Sequence, residues 1–140
     1  MKEASFNSKV NKGVKAAGPY ALKLNLMYVA GVPDNWYSGC VRGHWSEFKW
    51  YSKLPTVHFH LRAGASPKLT AQQNLWLCRR YDEGRDVSVI VGAPDRCIVL
   101  LDKEWEHPVE VERMTMSHKD VIDWIVERVN GKQAPAGPVV

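Results

Sequence analysis

The order in which hydrophobic periodicities change along the chain restricts its fold more than any single motif does. Within residues 3–16, Phe6, Val10 and Val14 recur at four-residue spacing and form one apolar helical stripe. After the break at Gly18-Pro19, YALKLNLMYV (20–29) alternates Leu22, Leu24 and Leu26 against Lys23, Asn25 and Met27, which predicts a half-buried strand. The turn Ala30-Gly31-Val32-Pro33 leads to Asp34, and Gly39 to Gly43 reads as a second turn. HWSEFKWYS (44–52) is then a strand by its aromatic content and period-two pattern. A loop over 54–67 precedes LTAQQNLWLCRRYDEG (69–84), a helix with Leu69, Trp76 and Leu77 inward and Gly84 as its stop. VSVIVGA (87–93) and RCIVLL (96–101) are strands joined through Pro94-Asp95. A last helix over 117–130 has Ser117 as N-cap, Asp120 at the capping-box position, and Ile122, Ile125, Val126 and Val129 buried. The order α-β-β-α-β-β-α predicts an α/β protein, a mixed central sheet flanked by helices.

A chain of 140 residues fits one domain with a hydrophobic core, here 1–130, followed by a Gly-, Pro- and Ala-rich tail, 131–140, that reads as disordered. No stretch approaches the roughly 20 apolar residues of a membrane span. The start, MKEASFNSKVNK, lacks the apolar core of a signal peptide, so a cytoplasmic protein without membrane association is expected. Cys40, Cys78 and Cys97 form no CxxC pair and read as free thiols.

Charge is distributed unevenly. Residues 1–70 hold ten Lys and Arg against three acids, a balance of +7; residues 71–140 hold nine against twelve, or −3, and the whole chain carries +4. A front half this basic fits a polyanion, with nucleic acid the first candidate. Lys9, Lys12, Lys15, Lys23, Arg42, Lys53, Arg62 and Lys68 are the expected phosphate contacts. Acids in such a region cost phosphate affinity, so Glu3, Asp34 and Glu47 need a reason to be there, and binding a divalent cation is one.

The spacing of those acids permits a definite chemistry. Side chains on a strand alternate faces, so Glu47, Lys49 and Tyr51 share one side, and Lys49 sits about 6.5–7 Å along the strand from Glu47. Asp34 lies at the end of the preceding turn. Two carboxylates converging on a hard cation, with a lysine alongside, are what phosphodiester hydrolysis requires. The Phe48 carbonyl is a further oxygen ligand in this reading. Glu3 points along the buried side of the first helix, one turn before Phe6, as either a solvated helix start or a site residue.

Pro33-Asp34 followed by Glu47-Phe48-Lys49 resembles the signature of the PD-(D/E)xK nuclease superfamily. Three features strengthen the match: a glutamate, Glu3, on a helix before the hairpin; a helix opening T-x-x-Q, Thr70 to Gln73; and the strand VSVIVGA directly after it. The layout is most like small phage-type endonucleases of the VRR-Nuc and Holliday junction resolvase kind. The resemblance implies a restriction-endonuclease-like core and metal-dependent cutting of branched DNA, usually by a homodimer, with no nucleotide cofactor. It implies Asp34 and Glu47 as ligands of Mg2+, with Mn2+ as a substitute, and favours the site reading of Glu3, which would help hold the metal or its water. Lys49 would orient the nucleophile, and Gln73 would position the lysine or the scissile phosphate.

Two other readings stay open: a nickase acting on linear duplex, and a non-catalytic DNA-binding module whose acids are incidental. Asp95 follows a second proline but has no ExK after it and reads as a turn residue. Asp102, Glu104 and Glu106 lie in a connector without a partner lysine. His58 and His60 are at strand spacing but lack a third ligand, so they read as exposed or DNA-facing rather than zinc-binding. Of Trp36, Tyr37, Trp45, Trp50 and Tyr51, most are expected in the core, with one or two left to stack on unpaired bases.

Overall fold

A computed structural model describes residues 2–24 and 30–131 of the protein. Helix α1 (Glu3–Ala16) buries Phe6, Val10 and Val14 completely, as their spacing predicts. Strands β1 (Tyr20–Lys23), β2 (Asn35–Ser38) and β3 (Gly43–Trp50) follow, then a short β4 (His58–Phe59), helix α2 (Ala71–Asp82), and strands β5 (Val87–Gly92) and β6 (Cys97–Leu100). A short β7 (Val109–Glu110) and helix α3 (His118–Asn130) end the described part.

The five-stranded sheet has the order β1-β2-β3-β5-β6, with β3 and β5 parallel and the other pairs antiparallel. A parallel pair needs a crossover, and α2 supplies it. β5 is buried along its whole length, as expected for a strand covered on both faces. On one face α1 and α3 pack Phe6, Val10, Val14, Val121, Ile125 and Val129 onto Phe48 and Ile90. On the other, Leu77 of α2 joins Val89, Val91, Trp105 and Met114. Each large apolar side chain fully withdrawn from water contributes about 1.5–3 kcal/mol. The mixed sheet between helices is therefore the architecture the periodicities predict.

Several details differ from the sequence reading. Asn35–Ser38 is an additional strand, and β4 pairs with β7 in a separate two-stranded sheet. In β1 the buried residue is Ala21, while Leu22 is 40% exposed. β1 is an edge strand, and Leu22 stands opposite Trp36. Residues 25–29 of the predicted strand and 132–140 of the predicted tail lie outside the described residues. In α3 the fully buried stripe is Val121, Ile125 and Val129, with Ile122 and Val126 only partly covered. Of the connector acids, Glu104 pairs with Arg113 and Glu106 accepts from the Cys78 thiol. Cys40, Cys78 and Cys97 are free thiols.

Candidate active site

β2 stops short of β3. Their pairing ends at Asn35 opposite Ser46, so the second half of β3 has an open side. Asp34 occupies it: Oδ2 accepts the Phe48 N–H at 3.1 Å, while the Asp34 carbonyl accepts the Leu24 N–H at 2.6 Å. The N–H and C=O of one strand residue point to the same side, so the Phe48 carbonyl opens toward Asp34 as well. The turn before Asp34 is held against α2. Gly31 has φ +85°, and a Cβ there would lie 2.5 Å from the Gln72 carbonyl, so only glycine permits this approach.

Glu47 and Lys49 project together from the α2 side of β3, as strand alternation predicts. Lys49 Nζ lies 3.3 Å from Glu47 Oε2 and donates to Gln73 Oε1 at 3.2 Å. The Gln73 amide nitrogen donates back to Glu47 Oε2 at 3.3 Å. Gln73 has a second duty: with Thr70 it forms the capping box of α2, accepting from the Thr70 N–H at 3.0 Å and donating its own N–H to Thr70 Oγ1 at 3.1 Å. Helix start and site thus share one side chain.

The site stores electrostatic tension. Glu47 is 3% exposed. Burial, then repulsion from Asp34, pushes its carboxyl up to about 8, against the pull of Lys49. Glu47 Oε1 is buried with no hydrogen-bond partner among the described residues. An orphaned carboxylate oxygen beside a second carboxylate fits a divalent cation. The donors are all oxygen, which suits Mg2+ or Mn2+ rather than a thiolate-loving metal. Among the described residues no group of three His, Cys, Asp or Glu side chains converges.

Glu3 stands at the rim. It opens α1 and is exposed as a residue, yet its carboxyl is raised above the ordinary value by loss of solvent and then by Asp34, while Lys49 and Lys23 pull it down. It is coupled through space to Asp34 and Lys49. A buried polar chain ties its helix to the neighbouring strand: Asn11 Nδ2 donates to Asn7 Oδ1 at 3.1 Å and to Asn35 Oδ1 at 2.7 Å, and the Tyr37 hydroxyl donates to Asn11 Oδ1 at 2.6 Å. Asn7 and Asn11 extend the Glu3 position by one and two helical turns. That polar stripe beside the apolar one was the available signal for them.

Among the basic residues, Lys12, Lys15, Lys23, Arg42, Lys53 and Lys68 are exposed. Lys9 is exposed with Nζ 3.2 Å from His118 Nδ1. Arg62 is half-buried and donates to the Leu69 carbonyl at 2.6 Å, bracing the approach to α2. His58 is exposed, while His60 accepts the Arg62 N–H. Asp95 is exposed in its turn.

A second polar constellation has the order of a nucleophilic triad. Asp86 Oδ2 is 2.7 Å from His44 Nδ1, and His44 Nε2 is 2.7 Å from Ser88 Oγ. Both His44 and Ser88 are completely buried under α3, and Ser88 Oγ is also bound to Ser46 Oγ at 2.7 Å. No substrate reaches this serine, and the network is a brace between β3, β5 and α3.

The solved structure of Hjc, a Holliday junction resolvase from the archaeal hyperthermophile Archaeoglobus fulgidus, is similar over 86% of this chain and 98% of that one, with TM-score 0.54 and 14% identity. The likeness shows the fold. Comparison with protein-family models and with curated proteins finds no match. Among the described residues no helix is long and apolar enough to cross a membrane.

Proposed function

We propose that the protein is a metal-dependent DNA endonuclease that hydrolyses phosphodiester bonds in branched DNA, a homodimer of one catalytic domain over residues 1–130. The observation that carries this reading is the pairing of Asp34 with the buried Glu47, whose Oε1 is orphaned, set against Lys49 and Gln73. The basic front half and the fold it shares with a Holliday junction resolvase support DNA as the substrate.

Asp34, Glu47 and the Phe48 carbonyl would hold Mg2+, or Mn2+ in its place, and the ion would neutralise the phosphate and lower the pKa of an attacking water. Lys49 presents an ammonium beside the position that water would take, stabilising the charge that develops on the phosphate. Gln73 fixes Lys49 and Glu47 relative to each other, and Glu3 adds negative potential at the rim. Exposed lysines of α1 and the turns would grip phosphates on either side. Two symmetric cuts need two sites, which a twofold pair of chains would provide. The β1 edge, with Tyr20 59% and Leu22 40% exposed, offers apolar surface for it.

The test is a cleavage panel of four-way, three-way, flap and linear DNA with and without Mg2+. Cutting of branched substrates that needs the ion and disappears in Glu47→Gln is expected. Binding without cutting under every condition would assign the chain to the non-catalytic DNA-binding class. Cutting of linear duplex alone would make it a nickase.

A further inference from the structure

Beyond the carboxylates the same seam between α2 and β3 opens into a groove of about 790 Å³. Its walls carry three half-buried tryptophans, Trp36, Trp45 and Trp76. The rings of Trp36 and Trp45 are 4.6 Å apart between centroids, and Trp76 meets Trp45 edge-on at 5.2 Å. The floor is rigid. Trp36 and Trp45 are cross-strand partners, and the Trp36 ring lies so close over Gly43 that a Cβ there would overlap it at 1.8 Å. Three large indoles left partly in water side by side are costly to a fold unless something covers them.

The charges around the rings say what fits. The Arg80 guanidinium lies 5.4 Å from the Trp76 ring centroid, with Arg42 and Arg85 on the rim. Both local acids are engaged: Glu83 takes Arg80 at 2.8 Å, and Asp86 takes Arg128 and His44. Arg42 and Arg85 have no acidic partner among the described residues. The groove therefore presents flat π faces with spare positive charge at the edge, which is complementary to bases on a phosphate backbone.

Its position matters as much. Trp45 precedes Glu47 by two residues on the same face of β3, a distance of about 6.5–7 Å. Trp76 follows Gln73 by one helical turn of α2. A strand lying along this seam would pass from the indoles to the carboxylates without leaving the surface.

We propose that this groove binds unpaired bases of a DNA strand, stacking them on Trp76 and Trp45 while Arg42 and Arg85 hold the backbone. Paired bases hide their faces in the duplex, so the groove selects DNA that is open beside the scissile phosphate. The role in cleavage rests on the nuclease reading above; the binding itself does not.

The experiment is a metal-free titration of the full chain with a thymidine oligonucleotide and with duplex of equal length, followed by tryptophan fluorescence and by anisotropy of labelled DNA. The oligonucleotide is expected to quench fluorescence and to bind more tightly than the duplex. Trp76→Ala should weaken oligonucleotide binding about 5- to 150-fold, the range for losing one stacked base. Trp76→Phe, which keeps a ring, should stay within roughly 3-fold of wild type, and Arg85→Ala should flatten the salt dependence by about one counterion. If Trp76→Ala fails to fold by circular dichroism, the pair Trp76→Phe and Arg85→Ala decides. Equal affinity of Trp76→Ala and wild type, or preference for duplex, overturns the proposal. A change in molecular mass on Trp76→Ala, with unaltered DNA binding, would also overturn it by giving the groove to a second copy. A protein that cuts branched DNA yet ignores the oligonucleotide would sink the groove and leave the nuclease standing. Oligonucleotide binding without any cutting would do the reverse.

Discussion

Asp34 Oδ2 accepts the Phe48 N–H at 3.1 Å, so the acid that heads the site also completes the hydrogen bonding that β2 leaves unfinished. Asparagine keeps a side-chain oxygen for that amide while removing the charge. Asp34→Asn should therefore fold normally, lose all detectable Mg2+-dependent cutting, and bind junction DNA as tightly as wild type or tighter, because repulsion toward phosphate falls. Gel shift and cleavage on the same preparation check this. Equal loss of both activities would point to a site elsewhere.

Metal should stabilise the fold by mass action. At a concentration about 100 times Kd the gain is about 2.7 kcal/mol, enough to move Tm by several degrees. Mg2+ or Mn2+ should raise Tm in wild type and leave Asp34→Asn and Glu47→Gln unmoved. Differential scanning fluorimetry gives the answer, and an equal rise in all three would remove these carboxylates from the ligand set.

Without metal, Glu47 is a liability at high pH. Its folded value, about 8, lies above the ordinary 4.5, so the folded chain binds the extra proton between them. Stability from this group is complete below about 4.5 and is lost as pH rises through about 8. The loss is on the order of a few kcal/mol. Glu47→Gln should thus melt higher than wild type at pH 9 in a chelator, with the gap closing toward pH 5. A variant less stable than wild type at pH 9 would count against a strained carboxylate.

His44 and Asp86 give the opposite slope. Burial lowers the His44 pKa ahead of the opposing pull of Asp86. Burial works against Asp86 ionising, but hydrogen bonds from His44 and Arg128 win and hold it well below the ordinary range. Stability from His44 is present above about 6.5 and declines as pH falls toward its depressed value; that from Asp86 declines below about 3.8. His44→Gln should be less stable than wild type at pH 7, with the difference shrinking by pH 5. Urea unfolding at the two pH values measures it.

Gln73 can be dissected because only its amide nitrogen reaches Glu47, while Oε1 serves both Thr70 and Lys49. Gln73→Glu keeps the oxygen that caps Thr70 but removes the N–H that binds Glu47 and adds a third negative charge. Tm should change little, while kcat should fall roughly 10²-fold, the scale for losing one preorganised group. Gln73→Ala should lose both, with about 1 kcal/mol of stability. A Gln73→Glu enzyme of normal kcat would reduce Gln73 to a cap.

Much of this molecule was legible in the chain. The Phe6–Val10–Val14 stripe, the shared face of Glu47 and Lys49, and the Ser117–Asp120 capping box all follow from local geometry, and the structure contains each. What escaped depends on partners distant in sequence. Asn35–Ser38 is too short to show a period and becomes a strand only between its neighbours. Leu22 faces out because β1 lies at an edge, and position in a sheet leaves no mark on a single strand. Asn11 tolerates burial because Asn35 and Tyr37, on the neighbouring strand, supply its hydrogen bonds beside that to Asn7. The hydrogen bond of Arg62 to the Leu69 carbonyl likewise leaves no mark on its own stretch of sequence.

Because one glutamine both starts α2 and clamps the carboxylate and the lysine, fraying of that helix and disassembly of the site are a single event. Heat that loosens only the first turn of α2 would take this side-chain cluster apart while the sheet stays intact, and the Gln73 amide, exchanging with deuterium, would keep time with the loss.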